Sequence, residues 1–164
     1  MPINSTDIQY RLSGGAANAS DEASLGGIKS STALSGTVLD DVSGAESAAG
    51  SVEYRCFYIH NNHATLALTL AAIFLQALAL GSGHAIAIGV GSAAINGTEQ
   101  AVANEITAPA GVAFSSPTTL GTALALGSIP AGQHKAVWVR RTVAAGSAAS
   151  ANSYNLRVTG DTAV

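Results

Sequence analysis

The chain has 164 residues, enough for one domain with a real core, and 48% of them are hydrophobic against only 10% charged, which excludes disorder driven by charge repulsion. Its net charge is −3 and its seven Lys and Arg are scattered, so no basic face exists to displace counterions from phosphates or to hold an anionic bilayer; neither nucleic acid nor membrane is expected as a partner. Globular chains carry about 25% charged residues, so this surface is unusually neutral, and its Ala-rich apolar content buries little area per side chain, at roughly 25 cal/mol per Å².

Residues 1–50 are rich in Ser, Gly, Ala and Asp, with scattered large apolar residues such as Ile8, Tyr10, Leu12, Leu25, Val38 and Leu39. Gly14-Gly15 and Gly26-Gly27 punctuate them as turns. Such a composition does not build its own core. The segment reads as an extended N-terminal arm that orders against a partner; a loose tail, or a loop packed on its own domain, is the alternative. No basic and then apolar run opens the chain, so no signal peptide is expected.

The body, residues 51–164, begins with Val52, Tyr54, Cys56 and Tyr58 alternating with Glu53 and Arg55, the pattern of a half-buried strand. His60-Asn61-Asn62-His63 reads as a turn. Residues 64–80 place Leu66, Leu68, Leu70, Phe74, Leu78 and Leu80 on one parity, which favours a long or bent strand; the Ala content argues for helix. A membrane span is disfavoured there by Gln76, two Thr and the lack of flanking anchors. After the Gly81-Ser82-Gly83 turn, residues 84–90 form a strand with Ile86, Ile88 and Val90 on one face. Asn96-Gly97 is a turn signal. Loops follow, with short strands expected at 112–114 and 120–126. A turn at 129–133 feeds a strand over 134–143, in which Val137, Val139, Arg141 and Val143 oppose Ala136, Trp138, Arg140 and Thr142. Residues 144–152 read as a loop, Tyr154, Leu156 and Val158 as a last strand, and Gly160 onward as a tail. Strands separated by turns, without βαβ alternation, predict an all-β fold: an antiparallel β-sandwich or jelly-roll-like barrel carrying the N-terminal arm.

Motifs for catalysis are scarce. No G-x-S-x-G elbow or complete phosphate loop occurs. Cys56 and His60 lie too far apart along a strand to form a dyad, and Cys56 reads as a buried, inert thiol. His60 and His63 have no nearby ligand to complete a zinc site. Asp21-Glu22 and Asp40-Asp41 sit in the arm without the burial that acid–base work needs. No catalytic residue, metal or cofactor is assigned. Consecutive Arg140 and Arg141 point to opposite faces of their strand, so one of them faces the interior or an interface. A buried Arg must be paired, with Glu53 or Asp161 as candidates.

Asp7-Ile8-Gln9-Tyr10-Arg11-Leu12-Ser13-Gly14-Gly15, Ala23-Ser24-Leu25-Gly26-Gly27, Glu53-Tyr54-Arg55-Cys56-Phe57-Tyr58, and Ile129-Pro130-Ala131-Gly132-Gln133 running into Val137-Trp138-Val139-Arg140-Arg141 resemble small virion proteins of tailed bacteriophages. The likeness covers most of the chain in order and carries no catalytic residues. It implies a β-sandwich that self-associates, often as a trimer, on a capsid lattice. The expectation is a capsid decoration (cement) protein, made in the host cytoplasm and bound to the major capsid protein on the virion surface. A tail or head-fibre module binding a receptor or glycan is the alternative, and a small hydrolase the remote one. The interface candidates are Tyr10, Arg11, Leu12, Leu25, Trp138, Arg140 and Arg141. A cage gathering the histidines or acidic pairs, or a first fifty residues closed on their own chain, would count against this reading.

Overall fold

The computed structural model describes residues 1–148, 150 and 152–162. Among these, the elements run β1 (Ile8–Leu12), β2 (Gly26–Gly27), α1 (Gly44–Ala49), β3 (Ser51–Asn61), β4 (Leu68–Ala79), β5 (His84–Val90), β6 (Glu99–Ala101), a 3₁₀ turn (Leu120–Thr122), β7 (Leu124–Ile129), β8 (His134–Val143) and β9 (Ser153–Thr162). One sheet has the order β1-β3-β8-β5, a second β7-β4-β9, and β2 pairs with β6 in a third. All pairings are antiparallel. The fold is an all-β sandwich. No helix among the described residues is long and apolar enough to cross a membrane.

The main core lies between the two larger sheets. Phe57, Ile59, Ile86, Ile88, Val137 and Val139 from one meet Leu68, Ala71, Ile73, Leu75, Leu126 and Ile129 from the other. The opposite face of the four-stranded sheet is covered too. Cys56, Tyr58, Ala136 and Trp138 there pack under Val102, Val112 and Phe114. The backbone of this outer layer is tied down by Cys56 N–H to the Ser24 carbonyl (2.8 Å), Tyr54 N–H to Glu105 (2.7 Å) and Val102 N–H to Leu25 (2.9 Å). Glycine is required at position 26, where φ is +93° and a Cβ would collide with the Gln100 carbonyl. The central sheet is therefore buried on both faces. Glu53 and Arg55, expected on a wet face, lie on the inward side of β3 with Phe57 and Ile59 and are themselves buried.

Residues 1–50 are not an extended arm. β1 pairs along β3 from Ile8↔Asn61 to Leu12↔Phe57, and Val38 and Leu39 belong to the main core. The buried Ser13 hydroxyl donates to the Cys56 carbonyl at 2.8 Å and accepts the Gly26 N–H at 3.1 Å. The segment lacks a core of its own, so it completes that of residues 51–164, as in the packed-loop alternative. Its short helix α1 begins with a capping box, the Ser43 side chain accepting from Glu46 N–H while the Glu46 carboxylate accepts from Ser43 N–H.

Residues 64–80 contain a strand, but not with the expected single face. Leu70 adopts φ +49° where the β4–β7 register slips between Leu68↔Ile129 and Ala71↔Gly127. One extra residue reverses the inward parity. Burial passes from Leu68 to Ala71, Ile73 and Leu75, and Leu70 is turned out to solvent. β3 runs on through His60 and Asn61, which were read as a turn. Ser115 N–H and carbonyl bridge to Ile88 where a strand at 112–114 was expected. β7 starts later than expected, and β9 continues through Gly160. Residues 149 and 151 of the predicted loop and 163–164 of the predicted tail lie outside the described residues.

Candidate functional site

The seven residues singled out as interface candidates do not form one surface. Leu12, Trp138 and Arg141 are buried within the chain. Trp138 sits on the outer face of its strand, where the overlying loops remove it from solvent. Arg140 is half-buried, its guanidinium 5.2 Å from the Phe114 ring centroid. Tyr10 is half-buried and donates its hydroxyl to the Leu156 carbonyl at 3.3 Å. Leu25 is half-buried in the outer layer. Arg11 remains partly accessible, its guanidinium bonded to the Gln9 side chain and the Ser31 carbonyl.

Of the two arginines Arg141 is the buried one, and it takes Glu53, one of the two partners named from the sequence. Glu53 lies directly opposite it on β3, and the two form a buried ion pair. The same guanidinium reaches Asp40 at 3.0 Å. Glu46 of α1 stands against Glu53, so the two carboxyl groups influence each other's ionisation. Burial, then the Glu46 contact, push Glu53 up to about 7. The same contact, then the Ser43 cap, hold Glu46 down at about 2. Arg55, also buried, pairs with Glu105. These charges fasten α1, residue 40 and the outer loops to the central sheet, although the Nε atoms of Arg55 and Arg141 are left buried without a partner.

Cys56 is fully buried, and burial pushes its thiol well above the ordinary value. A thiolate nucleophile is thus disfavoured at this position. The native protein is expected to leave Cys56 unmodified by an aromatic disulfide reagent over hours, and to react at once in denaturant. Rapid native labelling would show that the outer layer opens.

The four histidines separate into three places. His63 accepts the Thr65 and Leu66 N–H groups on Nδ1, at 3.2 and 3.0 Å. The His84 ring lies 3.2 Å from the Ala148 carbonyl, and its Nδ1 accepts from the Asn152 amide at 2.6 Å. His60 and His134 face each other across β3 and β8, ring centroids 6.5 Å apart. Gln9 stands next to His60 on β1. Burial, Lys29 and Arg11 lower the His60 pKa; burial, Lys29 and His60 bring His134 down to about 4. The sequence did not point to this grouping, because nothing local pairs residue 60 with residue 134.

Among the described residues no three His, Cys, Asp or Glu converge as metal ligands. Asp21, Glu22 and Asp40 line an open groove of about 440 Å³ with Arg55, but Asp40 is already engaged by Arg141. A second groove, of about 370 Å³, runs beside β9 and is lined by Tyr10, Leu34, Gln76 and Leu156. No family model, no curated protein and no solved structure matches the chain.

Proposed function

We propose that the chain is a virion structural protein of the capsid decoration type, attached as a homo-oligomer, in trimers, to the major capsid protein of a tailed phage. The observation that carries this reading is what the fold leaves outside. Leu70 is 77% exposed, Ile106 68%, Leu120 62% and Ile28 55%. At Leu70 the display is costly, since a left-handed backbone costs a non-glycine residue about 1–2 kcal/mol. Among the described residues nothing covers that side chain, so a contact with another subunit supplies the reason for it. A neutral surface with projecting aliphatic side chains suits an attachment that works by buried area.

Residues 1–50 close on their own body, which counts against attachment by an arm; what remains is attachment by a preformed surface and not by a segment that orders on contact. The adhesion-module alternative is disfavoured by the same inventory, because none of the exposed large apolar side chains is aromatic. Purified protein mixed with expanded shells is expected to co-sediment to saturation at a fixed stoichiometry. Leu70→Asp and Ile106→Asp should each weaken that binding at least tenfold without lowering the thermal midpoint. No association with shells, or binding indifferent to both substitutions, overturns the proposal.

A further inference from the structure

The outward row Gln9–His60–His134 crosses three neighbouring strands. Arg11 stands on the same face, two residues along β1, beside Tyr58. The Tyr58 ring meets His134 edge-on at 4.8 Å, and its hydroxyl is bonded to the Gly27 carbonyl, which brings the 27–31 segment, and Lys29 with it, over the row. Lys29 Nζ has one distant contact, 3.4 Å to the Ser30 carbonyl. Among the described residues neither Arg11 nor Lys29 makes a salt bridge, whereas the buried Arg55 and Arg141 both do. Asp7, the acid at the start of β1, accepts the Asn4 N–H instead. The Nδ1 atoms of His60 and His134 are buried without a partner.

We infer that Arg11, Lys29, His60 and His134 form a binding site for an oxyanion, either a free tetrahedral anion or a carboxylate presented by another molecule. Two fixed cations and two imidazoles share one half-buried patch, with no ion-pair partner among the described residues. An oxyanion supplies a counter-charge and accepts hydrogen bonds from the Lys29 ammonium, the remaining Arg11 N–H groups and a protonated imidazole. In its absence the cations oppose imidazole protonation; in its presence they no longer do. Binding is therefore coupled to proton uptake and tightens as pH falls. The groups facing the two rings include Gln9 and Arg11 from β1, Tyr58 from β3, Lys29 from the covering segment, Asn62 and the Gln133 backbone beside His60 and the Gly97 backbone beside His134, none of them an acidic side chain. This inference does not depend on the capsid reading.

The test follows the four histidine rings of the full chain by NMR between pH 4 and 8. Sodium sulfate and sodium acetate are each compared with sodium chloride at equal ionic strength. Sulfate is expected to raise the apparent pKa of His60 and His134 by about one unit, equivalent to about tenfold tighter binding to the protonated form, and to leave His63 and His84 in place. Lys29→Gln should weaken sulfate binding severalfold with an unchanged thermal midpoint. The same effect from acetate assigns the site to carboxylates as well, including those of a docked acidic side chain; an effect from sulfate alone assigns it to tetrahedral anions. Equal movement of all four rings, no movement, or sulfate binding unaltered in Lys29→Gln overturns the inference.

Discussion

Deletion of residues 1–50 is expected to abolish cooperative folding. The deletion strips β1 from its edge of the four-stranded sheet and removes Leu12, Val38 and Leu39, all buried. Fully burying a side chain of this size contributes about 1.5–3 kcal/mol, so three of them approach the 5–15 kcal/mol that holds a typical domain folded. The deletion also takes away Ser24, whose carbonyl satisfies Cys56 N–H, and Asp40, which shares Arg141. Thermal melting of residues 51–164 followed by circular dichroism should show no transition, or one far below that of the full chain. A sharp transition within a few degrees of the parent would mean that the body is self-sufficient and the first fifty residues an accessory.

Replacing Arg141 with Met is expected to cost about 3–5 kcal/mol above pH 8, where Glu53 is ionised and is left buried without its cation. The same site makes the stability of the parent depend on pH. An ordinary Glu titrates near 4.5, and Glu53 is raised to about 7. Between those values the folded state holds a proton that the unfolded chain has released, so this contribution is present in full below pH 4.5 and is lost as pH rises through 7. The loss is at most about 3 kcal/mol. Glu46 acts in the opposite sense. Its lowered value, about 2, supplies stability above pH 4.5 that disappears as pH falls toward 2. Together the pair places its optimum near pH 4.5. Urea unfolding at a series of pH values should show stability declining from pH 5 to 8, and Glu53→Gln should flatten that decline. A parent profile that rises over the same interval would exclude a raised Glu53.

The sequence was most informative where one strand face is apolar and its bounds are marked by turns. Residues 84–90 and 134–143 appear as strands with the expected faces, and the cost of an unpaired buried charge placed Glu53 among two candidate partners for whichever arginine turned inward. Reading failed where tertiary context overrides a local pattern. The alternation of Val52, Tyr54, Cys56 and Tyr58 with Glu53 and Arg55 suggested one wet face, but Glu53 and Arg55 share the inward side of the strand with Phe57 and Ile59, where ion pairs meet their charges. The parity of the 64–80 leucines was misleading because the shift at Leu70 has no glycine to announce it. The first fifty residues looked unable to fold because their few apolar side chains fill a core supplied by others. The Lys29, His60 and His134 grouping was illegible for a related reason: its members meet only through strand register and a covering loop.

The order of pairing has a consequence for how this protein is made. The larger sheet is organised around β8, the eighth of nine strands to be synthesised, which joins β3 to β5. Until it emerges from the ribosome, both of those segments lack their common neighbour, and β4, with Ile73, Phe74 and Leu75, still awaits β9. Distant partners and late closure make folding slow and leave sticky strand edges open to neighbouring nascent chains. Yield in a cell should therefore respond more to translation speed and chaperone supply than the size of the protein suggests.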